Sequence, residues 1–287
     1  MMNVEKKIKI DAASIVLIVL AVSGYALIFY PVWIGLIKLW LSSEEYSHGF
    51  FIVPIALFIA WQKKSTLSSL PVRGSWVGLL IVVAALFLFI VGHLAYILTL
   101  KPLSMILFIA GSIYFLFGFQ VIKELLFPIF MLLFMIPVPS QIYSAATINL
   151  QLFVSAVSAD VSSFLGVALY REGNVIHLPE RTLQVVRACS GMRSLVSLFA
   201  LSAFFGYFTL RSNFLRSMLF LSSLPIAVIV NIARVTLLIC FIHYLGIDLT
   251  HGTLHTLVGL GVFALALAIL FLLRELLKKW DTLSIND

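Results

Sequence analysis

The sequence predicts an all-α polytopic membrane protein of about eight transmembrane helices, with a small β-hairpin on the outer face. Three observations predict it. The 287 residues are 62% hydrophobic and 11% charged, whereas a soluble domain is roughly 45–50% apolar and about 25% charged. Apolar runs of about 18 or more residues recur along the chain, each long enough to cross a ~30 Å hydrocarbon core as a helix. Lys and Arg gather in the short polar segments between those runs, where they set topology. The net charge of +7 therefore belongs to membrane orientation, and no nucleic-acid partner is expected. The two cysteines, Cys189 and Cys240, imply no disulfide framework. The whole of 1–287 is expected to form a single membrane domain.

Each element follows from the pattern. Glu5, Lys6, Lys7 and Lys9 give a net basic start that stays cytoplasmic. The apolar run Ser14–Tyr30 is too long for a signal-peptide core and lacks a small-x-small cleavage site, so it opens span one, Ser14–Leu36. Trp40 to Gly49 is acidic and aromatic, as an outer loop is. Span two, Phe50–Trp61, ends inside at Gln62, Lys63 and Lys64, with Arg73 beyond. Span three covers Trp76–Leu98, and Lys101-Pro102 forms a tight outer turn. Span four covers Leu103–Phe119, Lys123 and Glu124 lie inside, and span five, Leu125–Ile136, ends outside at Pro137.

From Gln141 to Leu165 the apolar pattern is speckled with Ser, Thr, Asn149, Gln151 and Asp160. This stretch reads as a sixth crossing, or as a helix lying in the outer interface or packed against the bundle, and charge parity helps select between them. Arg211 and Arg216 follow the Cys189 helix, and Arg274, Lys278 and Lys279 follow the last span. Both groups fall inside if 141–165 does not cross. Residues 166–187 then alternate apolar and polar around Glu172-Gly173-Asn174 and Pro179-Glu180, the pattern of a small hairpin or meander. Spans six to eight are Gly191–Leu210, Ser217–Tyr244 and His255–Leu273. Both termini are cytoplasmic in this topology.

Polar residues in the apolar stretches supply the candidate site. Cys189, flanked by Ser190 and Gly191, lies at the outer boundary and at a helix N-terminus, which favours the thiolate. Arg234 stands within span seven, where a charge is costly and marks function. About eighteen residues of helix from Arg216 rise roughly 27 Å, which brings Arg234 to the depth of Cys189. Asn231 is one turn away on the same face and orients the guanidinium. His255 opens span eight at the same boundary. A thiol, a guanidinium and an imidazole at one depth are the parts of cysteine acyl transfer: nucleophile, oxyanion-stabilising cation and acid/base. His251 and His255 are spaced i, i+4, half of a metal site. No further ligand accompanies them apart from the distant His48 or Asp248, so no metal and no cofactor are expected. His48 lies in the first outer loop, on the side of the candidate site. Cys240 reads as packing.

These residues resemble the exosortase/archaeosortase family, in its bacterial exosortase-like, PEP-CTERM-type branch. The resemblance is carried by Val186-Arg187-Ala188-Cys189-Ser190-Gly191-Met192-Arg193, by Pro225 through Asn231 to Arg234, and by His255 with Gly259 four residues on. Tyr46 to Phe50 and Arg171 to Pro179 match in the same order. The resemblance implies a membrane-embedded cysteine protease or transpeptidase. Its partners would be secreted proteins bearing a C-terminal tripartite sorting signal: a short motif, a transmembrane helix and a basic tail. It would act through a thioester at the outer face of the bacterial cytoplasmic (inner) membrane, with a cell-surface glycan or amine as acceptor. Cys189 would be the nucleophile, Arg234 the oxyanion cation and His255 the acid/base. Many members carry an acidic residue two before the cysteine, where this chain has Arg187. The rival reading is a transporter or assembly component for exopolysaccharide export, with Arg234 and His255 as pathway residues. Inverted repeats would support it, and the sequence has none.

Overall fold

The computed structural model describes residues 12–43, 45–185, 192–247 and 252–283. It comprises two compact units, Met1–Pro139 and Ser140–Asp287.

The first unit holds α1 (Ala12–Ser42), α2 (Gly49–Gln62), α3 (Lys64–Ser69), α4 (Trp76–Leu94), α5 (Leu100–Phe117) and α6 (Phe119–Leu132), the last running into a 3-10 turn, Leu133–Met135. Helices α4 and α5 form a close antiparallel pair because glycines let their backbones meet. A Cβ on Gly78 would lie 2.1 Å from the Phe115 nitrogen, and one on Gly111 would lie 2.9 Å from the Val82 nitrogen. Lys101-Pro102, expected as a turn, belongs to the first turn of α5. Proline is accommodated there because the first helical N–H groups have no intrahelical acceptor anyway. Helix α6 begins at Phe119 rather than at Leu125, because the break is made by Gly118 at φ +89° and not by the charged pair. Glu124 stays on the helix and pairs with Lys63 at 2.7 Å.

The second unit holds α7 (Ser140–Phe164), three strands, α8 (Met192–Thr209), α9 (Asn213–Leu245) and α10 (Gly252–Leu283). Strands β1 (Tyr170–Glu172), β2 (Val175–His177) and β3 (Thr182–Gln184) form an antiparallel sheet in the order β1-β2-β3. This is the meander form of the expected hairpin. Gly173 turns the first corner at φ +62°, a conformation glycine adopts without a Cβ penalty. One face of the sheet is closed by a core of Ile176, Leu183 and Val185 against Val154 and Ala159 of α7 and Val235, Ile239 and Ile242 of α9.

Six helices among the described residues are long and apolar enough to cross a membrane: α1, α4, α5, α7, α9 and α10. Of the eight expected spans, two correspond to the shorter apolar helices Gly49–Gln62 and Ser194–Thr209, and α6, of 14 residues, is not among the six. Helix α7, expected to stay out of the hydrocarbon, is one continuous helix of 25 residues. Its mean hydropathy of 1.3 is the lowest of the six. The polar residues that lower it, Thr147, Gln151, Ser155, Ser158 and Ser162, are buried. They recur at helical spacing on the covered face, so they do not mark a solvated surface.

Candidate functional site

Helix α9 is 33 residues long, about 50 Å, which exceeds the ~30 Å hydrocarbon core. Its last turns are the part packed against the sheet through Val235, Ile239 and Ile242. Arg234 stands immediately before that packed stretch. It is 8% exposed and Asn231 is 4% exposed, so the two polar groups share the covered face of the helix. Around them, Ser158 of α7 donates to the Ile232 carbonyl at 3.2 Å, which ties α7 to α9 at this height.

The guanidinium of Arg234 lies against α10 at Gly259. A Cβ there would lie 3.4 Å from Nη2 and 3.8 Å from Cζ of Arg234. The planar group therefore rests on a helix surface that has no side chain. His255 stands four residues earlier on α10, about 6 Å along the axis, and i, i+4 positions share a helix face. The same face continues at the buried Ala266 and Leu270. At the other end of the helix pair the carboxylate of Asp281, 4% exposed, accepts the backbone N–H groups of Arg211 and Ser212. These residues immediately precede α9, so the carboxylate fixes the chain as it enters that helix. Helices α9 and α10 are thus antiparallel and anchored at both ends.

Helix α8 approaches the same end. The Ser223 hydroxyl donates to the Leu198 carbonyl at 3.4 Å, and the rings of Phe199 and Phe220 lie 4.8 Å apart. In this antiparallel register the Met192 end of α8 points toward the Arg234 end of α9. The chain reaches Met192 from β3, and the sheet holds its point of departure. Val185 donates its N–H to the Asn174 carbonyl at 2.9 Å, and Asn174 Nδ2 donates to the Val185 carbonyl at 3.1 Å. The turn carrying Asn174 is fixed in its turn by Ser155 of α7, which donates to the Gly173 carbonyl at 3.0 Å. The second corner of the sheet is tied to α9 by the pair between His243 and Glu180 at 3.0 Å.

Of the residues expected at the site, Arg234 and Asn231 are both buried, three residues apart on α9, and His255 lies on α10 with its side chain outside the described atoms. Arg187, Cys189, Ser190, Gly191 and His251 lie outside the described residues. His48 belongs to the first unit, where Nε2 donates to the Phe134 carbonyl at 3.1 Å. Burial pushes its imidazole below the ordinary range, against hydrogen bonds to the Phe134 and Glu45 carbonyls that raise it. Cys240 is partly buried beside the sheet core, in keeping with packing. Two residues that the sequence marks only through the family resemblance gain a physical role. Gly259 seats the arginine, and Asn174 holds the strand that leads to Cys189.

The family profile described as Transmembrane exosortase (Exosortase_EpsH) matches residues 40–272. The chain belongs to the exosortase family. The exosortase match takes in the sheet, the arginine on α9 and α10 as far as residue 272. No curated protein and no solved structure matches the chain. What a buried guanidinium on a bare helix surface can do chemically is limited and definite. It presents a permanent cation with several N–H donors in a fixed fork, and it suits an oxygen that gains negative charge during a reaction.

Proposed function

We propose that this exosortase is a membrane-embedded cysteine transpeptidase that cleaves the C-terminal sorting signals of exported proteins. The observation that carries the proposal is the seating of the Arg234 guanidinium against Gly259, one helical turn from His255. It lies where α9 begins to pack against the sheet, and in the sequence Cys189 falls between β3 and α8.

In this mechanism the His255 imidazole takes the proton of the Cys189 thiol. The sulfur bonds to the scissile carbonyl carbon, and the carbonyl π electrons move onto oxygen. Arg234, together with backbone N–H groups following Cys189, stabilises that oxyanion. The oxyanion then collapses, the C–N bond breaks, and His255 returns the proton to the leaving amine. This leaves the exported protein as a thioester on Cys189 and frees the transmembrane helix with its basic tail. A glycan or amine nucleophile, or water, then attacks the thioester carbon, and the thiol regains its proton. The active site faces outward from the bacterial inner membrane, and both termini are cytoplasmic.

The test is to co-express a substrate carrying the tripartite tail with wild-type chain and with Cys189→Ala, and to follow its size. Loss of processing in the variant, with a hydroxylamine-sensitive adduct on the wild-type enzyme, is the expected result. Unchanged processing in Cys189→Ala would overturn the proposal.

A further inference from the structure

We propose that the first unit carries a binding site for the phosphate of an anionic phospholipid, at the junction of α4, α5 and α6. A cavity of about 270 Å³ opens there, walled by Arg73, Ser75, Tyr114 and Gln120 with Pro71 and Phe119 beside them.

The backbone around this cavity is committed. Arg73 donates its N–H to the Phe117 carbonyl and Ser75 to the Phe115 carbonyl, each at 3.2 Å. Gly118, at φ +89°, packs so closely that a Cβ would come within 1.9 Å of the Arg73 carbonyl oxygen. The loop is therefore pinned to the α5–α6 corner. The polar side chains are not committed: among the described residues those of Arg73, Ser75, Tyr114 and Gln120 have no hydrogen bond or ion pair. One cation and three neutral groups able to donate hydrogen bonds thus line one cavity, a donor set that matches a phosphate. The first turns of α4 and α6 start at its rim, and their orphan N–H groups add to the same field.

The position selects a lipid. The cavity sits where the candidate spans α4 and α5 begin and end, which is the depth of phosphodiester groups. Trp61 and Trp76, 60% and 76% exposed, mark an interfacial aromatic belt there. Phe119, 63% exposed, offers apolar surface to an acyl chain. Lys123 and Glu124 follow Gln120 on α6, and the Glu124 carboxylate is held by Lys63. The surplus is positive, which favours an anionic over a zwitterionic headgroup.

The experiment titrates phosphatidylglycerol into the full chain in neutral detergent and follows Tm. Phosphatidylcholine and sodium phosphate serve as parallel probes. Phosphatidylglycerol should raise Tm, and Arg73→Gln should weaken the midpoint about tenfold by removing a charge-assisted contact. The lipid-free Tm of this exposed-residue variant should be unchanged. Tyr114→Phe combined with Gln120→Ala leaves the pinned backbone intact and should weaken the same midpoint, which keeps the test open if Arg73→Gln misfolds. Equal response to phosphatidylcholine, or a wild-type midpoint in both variants, overturns the site. An equal response to sodium phosphate overturns the lipid assignment.

Discussion

Gly259 is the position at which the candidate site is most exposed to refutation. An added Cβ would meet Arg234 Nη2 at 3.4 Å and Cζ at 3.8 Å, which is ordinary van der Waals contact. Gly259→Ala should therefore fit, and alanine also has the higher helix propensity. A γ carbon reaches about 1.5 Å further. In Gly259→Leu it enters the volume of the guanidinium, and the arginine must leave its seat. If Arg234 supplies the oxyanion donors, that displacement costs what loss of such a donor costs elsewhere, about 10²–10³ in rate. The assay is pulse-chase processing of the tripartite-tail substrate, with Tm of the purified variants as the control for folding. Gly259→Ala should stay within about threefold of wild type. Gly259→Leu should fall to the level of Arg234→Ala while Tm stays within a few degrees. Arg234→Lys should remain low as well, because a point-charge ammonium does not reproduce the planar fork. Wild-type processing in Gly259→Leu, or loss in Gly259→Ala equal to that in Arg234→Ala, would refute the reasoning.

Three further outcomes are expected. Asn174→Ala removes the hydrogen bond to the Val185 carbonyl, so it should cost about 1 kcal/mol in stability yet slow processing more than Thr182→Ala, a neighbour on the exposed face of β3. Asp281→Ala strips the acceptor from two N–H groups ahead of α9 and should lower stability by about 1.5–3 kcal/mol, read as a fall in Tm that Asp281→Asn partly restores. His48 has its imidazole pushed down by burial, so the folded chain holds it neutral at a pH where the unfolded chain begins to protonate it. The unfolded state then binds the extra proton, and stability should fall as pH drops below the ordinary value of 6.5. His48→Gln should flatten that slope in a Tm series from about pH 8 to pH 5.

What could be seen in the sequence follows from which forces leave a trace in residue type. The apolar runs mark α1, α4, α5, α9 and α10, because crossing a membrane requires them. The alternation around Glu172-Gly173-Asn174 and Pro179-Glu180 marks the sheet, since strand residues must face opposite sides. The start of α6 is hidden because Phe119 to Ile122 is as apolar as the helix before it. The break is a single backbone conformation at Gly118, which hydropathy does not register. Helix α7 is hard to place for the opposite reason. Thr147, Gln151, Ser155, Ser158 and Ser162 lower its hydropathy as if they faced water, while their positions are all covered. Polar composition measures what a residue is, and burial depends on where its neighbours are.

The candidate site divides along the same line. Arg234 announces itself, since a charge inside an apolar run is retained only where it is used or paired, and the side chain is 8% exposed. Gly259 shows only through the family resemblance, because its contribution is the absence of a side chain at one point of approach. Asp281 is the least visible, in the last basic stretch among charges that read as solvated. Yet it bears on the same geometry from a distance. From Gly259 to Asp281 is about 33 Å of continuous helix. A slip of one residue between α9 and α10 would move Arg234 about 1.5 Å along the axis and turn it about 100° away from Gly259. The apolar side chains between the two helices resist such a slip only weakly, since neighbouring registers also pack apolar against apolar. A buried carboxylate that must accept two named N–H groups admits one register alone. The alignment of the arginine with the bare surface of α10 is therefore set in part at the far end of the helix pair. Processing should accordingly fall in Asp281→Ala even though that residue lies a membrane's thickness from the site.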